Sequence, residues 1–371
     1  MSGRRLLVQV HLWLGLVLGL LWALQGLTGA LLVFHRELDR PAGAVAAGPM
    51  APIDRILAGA ESAAGAPVTM LSVADARGDL LHASYRAADG TRRVLRIEAA
   101  TGRIVADRAG DGGWRWIYLL HEELRLEDTG LGIVGTSGLF LASAALTGLW
   151  LGWPRRGSWR AAFRPALWRT ARQRLYGWHR MAGLLVTAAL VLLPLSGAAM
   201  AFGSTLRPFL ARHAGFELPP RPAPGLPAQM IAPAAATALA RARFPDASFV
   251  RLTMPSAKAP VYVVRLRQPG ETRAWSGTSS VTVAANGRIV HVLDALRAPL
   301  ANRLYDAAFP IHNGEIAGLP GRVLVLLAGL ALPALYVTGL LAWARKRRAR
   351  RLNLPASAAP SVPGTAPPSP A

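Results

Sequence analysis

Residues 11–34 read HLWLGLVLGLLWALQGLTGALLVF, and residues 179–202 read HRMAGLLVTAALVLLPLSGAAMAF. Each stretch begins on a histidine and continues apolar for long enough to cross a bilayer, which takes about 20 residues. The two are aligned copies: Gly15 matches Gly183, Gly29 matches Gly197, and Phe34 matches Phe202. A second pair follows the same logic. His121 and His312 each precede an apolar run, with Thr147-Gly148 and Thr338-Gly339 at equal offsets from them. The chain therefore reads as a duplicated two-helix unit, each helix opening on a histidine.

Charge sets the orientation of these helices. The 371 residues carry a net charge of +22, which in a water-soluble chain would suggest nucleic-acid binding. Its distribution excludes that reading. Apolar spans fall at about 6–34, 131–152, 180–203 and 321–344. The segment between the second and third holds Arg155, Arg156, Arg160, Arg164, Arg169, Arg172 and Arg174 and no acid. The tail after Trp343 is also basic, and all 20 Asp and Glu residues lie within 35–130 and 204–320. The positive-inside rule puts both termini and the Arg-rich loop in the cytoplasm of a bacterial inner-membrane protein, with two large segments outside. The first apolar stretch is longer than a signal-peptide core and shares its pattern with the third, so it is expected to be retained.

Both outer segments read as small α+β modules. A helix over 53–64 precedes strands near 68–74, 79–86 and 92–98, and then Gly102-Arg-Ile-Val105. A helix over about 231–243 precedes strands near 248–254, 260–267 and 279–284, and then Gly287-Arg-Ile-Val290. The repeated Gly-Arg-Ile-Val marks one turn into a strand, with Gly supplying positive φ. Residues 114–126 form an aromatic, amphipathic interfacial segment, 217–228 a Pro-rich linker, and 355–371 a disordered tail.

The residues that carry chemistry are the four repeated histidines. Neutral imidazole is an axial ligand for haem iron, and two of them saturate it, which favours electron transfer. Depth pairs His11 with His179 near the inner face and His121 with His312 near the outer face. Gly15 and Gly183, one turn after their histidines, would let a flat macrocycle approach the backbone. Gly29, Gly148, Gly197 and Gly339 read as helix-packing sites. His35, whose repeat partner is Gly203, is an alternative outer ligand or a propionate partner. His82, His213 and His291 read as surface or structural. Trp13, Trp116, Trp150, Trp153, Trp178 and Trp343 fit an interface belt. The absence of Cys excludes iron–sulfur clusters and c-type haem attachment, and no dinucleotide or P-loop fingerprint appears.

At these residues the chain resembles the PepSY-associated transmembrane helix family of iron-regulated membrane proteins. The matching motifs are His-Leu-Trp-Leu-Gly at 11–15, Gly-Leu-Thr-Gly at 26–29, the exit over 34–39, and Leu-Leu-His at 119–121. Leu-Thr-Gly-Leu-Trp at 146–150, Trp-His-Arg at 178–180 and Ile-His-Asn-Gly at 311–314 complete the set. The resemblance implies four transmembrane helices with two periplasmic PepSY-like modules. It further implies haem-containing reduction of ferric siderophores.

The resulting expectation assigns 1–35 to the first helix and 36–112 to the first module. Residues 113–153 hold an interfacial segment and the second helix, 154–178 a cytoplasmic loop and 179–204 the third helix. Residues 205–308 hold the second module, 309–344 a His segment and the fourth helix, and 345–371 a cytoplasmic tail. Two b-type haems on His11–His179 and His121–His312 would pass electrons from a cytoplasmic flavoprotein reductase or quinol to a periplasmic ferric siderophore. No nucleic-acid partner is expected. The rival expectation is a non-enzymatic membrane anchor whose modules bind or restrain a periplasmic protease or sensor. A transporter reading ranks below both, because the apolar spans hold no acid for proton coupling.

Overall fold

A computed structural model describes residues 2–39, 45–46, 48–75, 77–109, 113–154, 159–165, 168–220, 222–273 and 275–352, with side chains to 348. The expected disordered tail, together with Arg155 and Arg156, lies outside these residues. Twelve α-helices and eight strands follow in order: α1 (Gly3–Val17), α2 (Gly19–Val33), α3 (His35–Leu38), α4 (Ile53–Ala64), β1 (Val68–Val73), β2 (Leu80–Arg86), β3 (Arg92–Glu98), β4 (Ile104–Ala109), α5 (Trp114–Glu123), α6 (Glu127–Gly152) and α7 (Trp159–Phe163). The second half comprises α8 (Ala171–Ala201), α9 (Gly203–His213), α10 (Pro233–Arg243), β5 (Ser248–Thr253), β6 (Val261–Arg267), β7 (Ser280–Ala284), β8 (Ile289–Leu293), α11 (Leu300–His312) and α12 (Gly318–Leu352).

Three described segments, 127–152, 171–201 and 315–348, are helical, long and apolar enough to cross a membrane. The fourth expected span is bent: α1 and α2 meet at 61° around Leu18. Glycine is a usual cause of such kinks, and Gly19 stands here against the ring of Tyr336. The bend gives the two halves different neighbours, α1 against α6 and α2 against α12. It corrects the single continuous helix expected over 6–34.

A second correction concerns where the histidines sit. α8 begins eight residues before His179, because Thr170 and Gln173 form a reciprocal capping box over its first turn. His11 lies inside α1, while His121 and His312 lie at the C-terminal ends of α5 and α11. None of the four opens its helix. After His121 the chain reverses through Leu124, Arg125 and Glu127, all at positive φ. After His312 it reverses at Gly314, φ +82°.

The two α+β modules are not separate. Their strands form one antiparallel sheet in the order β4-β3-β2-β1-β5-β6-β7-β8. At the centre, β1 pairs with β5, placing Leu71 opposite Leu252. Both leucines are fully buried in a core that runs through both halves. Alternation explains this face: Leu81, Ala83 and Tyr85 of β2 and Tyr262, Val264 and Leu266 of β6 all point into it. The helices over it carry matching stripes, Ile53, Ile56, Leu57 and Ala60 on α4 and Ala236 and Ala240 on α10. Asp54 of α4 also accepts the Ala234 N–H at the start of α10, 3.0 Å. In each half the Gly-Arg-Ile-Val turn has glycine at positive φ, Gly102 at +77° and Gly287 at +95°.

The other sheet face carries Ser72, His82, Arg96, Arg251 and Arg265 and looks onto the end of the helix bundle. Arg96 hydrogen-bonds the Asp39 carbonyl at 2.8 Å and pairs with its carboxylate, joining β3 to the chain just after α3. Arg322 of α12 is a second tie. It donates to both Glu37 oxygens (2.6 and 2.9 Å) and to the Val33 carbonyl (2.6 Å), between the rings of Phe34 and Trp275.

Candidate haem sites

The fold brings the four repeated histidines together as two pairs. The ring centres of His11 and His179 are 6.2 Å apart, and those of His121 and His312 are 6.0 Å apart. The levels are well separated along the bundle. His179 bears one pair, and Ser196, seventeen residues later on α8, contacts the other; at 1.5 Å per residue that is about 25 Å.

Each ring rests in the same kind of seat on a neighbouring helix. His11 Nδ1 meets the Ala144 carbonyl at 3.0 Å and Thr147 Oγ1 at 3.3 Å on α6. His179 Nδ1 meets the Leu335 carbonyl at 3.1 Å and Thr338 Oγ1 at 3.0 Å on α12. His121 meets Thr28 Oγ1 at 3.0 Å and the Gln25 carbonyl on α2. His312 meets the Leu193 carbonyl at 2.7 Å and Ser196 Oγ at 3.3 Å on α8. The hydroxyls donate to carbonyls of their own helices, so their oxygens are left to accept. Nδ1 must then carry the proton, leaving the Nε2 lone pair of every ring free to bind a metal.

A glycine follows every one of these hydroxyls, and the ring lies on it. A Cβ at Gly29, Gly148 or Gly197 would stand 2.9 Å from Cε1 of His121, His11 or His312, and one at Gly339 would stand 3.5 Å from Cε1 of His179. These glycines read as helix-packing sites in the sequence; they are the floors of the histidine seats. The signal available was the dipeptide itself. Thr28-Gly29, Thr147-Gly148, Ser196-Gly197 and Thr338-Gly339 recur once per histidine.

The residues fit a haem on geometric grounds. Two metal–imidazole bonds of about 2.0 Å, plus roughly 1.1 Å from each ring centre to its nitrogen, put two axial rings about 6 Å apart. The space beside the inner pair is open: a Cβ on Gly15 would meet nothing within 4 Å, and one on Gly183 only Leu335 at 3.9 Å. No group of three or more His, Cys, Asp or Glu side chains suited to a metal ion occurs among the described residues. A bare ion wants three or four protein ligands, whereas a porphyrin supplies four nitrogens and needs only two axial partners.

The other histidines lie elsewhere. His35 donates to the Leu32 carbonyl and faces Trp114, ring centres 6.2 Å apart, away from either pair. His213 lies against Phe209, and His291 meets Glu217 at 3.1 Å. His82 faces the bundle from β2, and burial, then Arg96, push its pKa down to about 4. Trp13, Trp116, Trp150, Trp153 and Trp178 are exposed, while Trp343 is half-buried beneath Arg347.

Apolar helices bearing paired histidines at two depths, with an antiparallel sheet domain at one end, define a helical membrane protein. The family model described as PepSY-associated TM region matches residues 8–346, and the chain belongs to that family. No curated protein matches the chain.

Proposed function

We propose that the protein is a transmembrane electron conduit with two b-type haems, one on His11 and His179 and one on His121 and His312. It would carry electrons from a cytoplasmic flavoprotein or quinol to a periplasmic ferric acceptor such as a ferric siderophore. The observation that carries this reading is the repeated seat. Four histidines each have Nδ1 tied to a carbonyl and a hydroxyl, Nε2 free, and a partner ring about 6 Å away. A haem held between the two imidazoles of each pair would supply one-electron chemistry.

The chain's own residues do the rest. The carbonyl and hydroxyl acceptors fix each tautomer and raise the basicity of the ligating nitrogen. The seat glycines set ring depth. A separation of about 25 Å between levels suits a hydrocarbon core of about 30 Å, which two relays divide into shorter steps. The positive-inside distribution of Arg supports an inner-membrane orientation with the sheet domain in the periplasm.

The test is proteoliposomes with dithionite trapped inside and a ferric chelate outside, with ferrous iron followed colorimetrically. Ferrous iron should appear with the wild-type protein and fall to the protein-free leak in His179→Ala or His121→Ala. Equal rates in the wild type and both variants would refute the conduit.

A further inference from the structure

Between the polar sheet face and the end of the bundle lies a cavity of about 220 Å³, framed by Arg36 of α3, Arg96 of β3 and Arg251 of β5. Its two acids are engaged. Asp39 is held by Arg96 and Arg108, and Asp75 accepts the Gly78 N–H at 2.9 Å. The cations are less well matched. The Arg251 side chain makes no hydrogen bond or salt bridge among the described residues, and its Nε is buried without a partner. Arg96 Nε, in a side chain 6% exposed, is likewise buried and unpartnered. Arg36 lies against the ring of Trp275, 5.2 Å from its guanidinium carbon; Glu315 and Glu37 stand near enough to favour its charge, but it makes no side-chain hydrogen bond or salt bridge to them among the described residues.

The surroundings add positive charge. Burial pulls Arg251 down; Tyr118 opposes that shift, and nearby Arg273 and Arg92 add to it. Arg265, one strand over on the same face, is pushed down to about 10 by burial, then by Arg251 and Arg273. Buried guanidinium groups without partners are costly, and proteins seldom retain them without a counter-charge. The planar fork of Arg matches a carboxylate through two parallel hydrogen bonds.

We infer that this cleft is a binding site for a carboxylate-bearing small ligand, with Arg251 and Arg36 as its principal donors and Arg96 completing the rim. Its location gives the site a purpose. Thr28, which seats His121, lies seven residues before His35 at the cleft floor, about 10 Å along the helix path. Carboxylates held here would belong either to a soluble ferric chelate arriving at the outer histidine pair, or to the propionates of a haem on that pair. The second source rests on the two-haem reading; the first does not.

One experiment separates them. The purified full-length protein is titrated with citrate by calorimetry, and haem release to apomyoglobin is timed, for the wild type, Arg251→Gln and Arg103→Gln. Arg103 is an exposed arginine paired with Glu98, outside the cleft. Citrate binding that weakens at least about tenfold in Arg251→Gln, as expected for a lost charge-assisted bond, with haem release unchanged, identifies a soluble ligand. Absent citrate binding, with haem release at least about tenfold faster in Arg251→Gln only, identifies propionates. Because Arg251 Nε has no partner, Arg251→Gln should fold and melt at or above the wild-type temperature. No citrate binding together with unchanged haem release would overturn the inference while leaving a two-haem protein standing. A colourless protein would instead sink the haem reading, and the citrate titration would still decide the cleft.

Discussion

Two glycines that seat opposite ligands of one site offer a sharp contrast. A Cβ on Gly148 would stand 2.9 Å from His11 Cε1, whereas a Cβ on Gly339 would stand 3.5 Å from His179 Cε1. Ordinary contact begins at 3.4 Å. Gly148→Ala must therefore push the His11 ring back by about half an ångström, against a metal-bond tolerance of about 0.2 Å. It would also stretch the 3.0 Å bond to the Ala144 carbonyl. Overpacking of this kind costs about 1–3 kcal/mol, or roughly 5- to 150-fold in haem affinity at that pair. Gly339→Ala meets only ordinary contact and should change affinity by no more than about twofold. Both substitutions sit inside helices and gain the same intrinsic propensity, so their difference isolates the contact. Haem content and release rate of each purified variant provide the assay. Equal loss in both, or full retention of haem by Gly148→Ala, would refute the seat argument.

Three further outcomes follow from the structure. Thr28→Val removes the hydroxyl acceptor of His121 but keeps the Gln25 carbonyl; haem affinity at the outer pair should fall about tenfold or more, read as faster transfer to apomyoglobin, and an unchanged rate would remove Thr28 from the site. His82 is held down to about 4 by burial and Arg96, so its contribution to stability is complete above about pH 6.5 and is lost as pH falls through about 4; thermal melts should decline over that window, and His82→Gln should flatten the decline. Leu252→Ala hollows the core at the β1–β5 junction, where Leu71 lies opposite, and should cost about 2–5 kcal/mol. Hydrogen exchange should then rise in both β1 and β5; a rise confined to 248–293 would mean that the two halves fold as independent modules.

Local structure was legible in the sequence to a useful degree. The helix over 53–64 and the strands of both modules emerge from periodicity alone, because each element buries one face in a single core. The Gly-Arg-Ile-Val turns were readable because only glycine suits the positive φ they need. Non-local features were not. Nothing in 68–73 or 248–253 announces that these strands pair with each other, since an edge strand and a central strand share one alternating pattern. The bend at Leu18 was hidden because apolar residues run unbroken through it, and it shows only in the packing, where α1 lies against α6 and α2 against α12.

The candidate site divides the same way. Histidine pairing followed from duplication and depth, and the structure brings those same rings together. The seats were present as four Ser/Thr-Gly dipeptides, yet a small residue in an apolar helix reads first as a packing site. Their role depends on which carbonyl lies one turn earlier and which helix stands opposite. The cationic cleft was visible only as scattered arginines, because composition does not reveal which guanidinium groups the fold buries or leaves without acids.

The most direct measurement is the haem content of the purified protein, by pyridine haemochrome with spectra before and after dithionite. Two b-type haems per chain, falling to one in His11→Ala and to one in His312→Ala, is the predicted result. A colourless protein from haem-replete cells, or two haems retained in either variant, would contradict the account and favour a membrane anchor for a periplasmic partner.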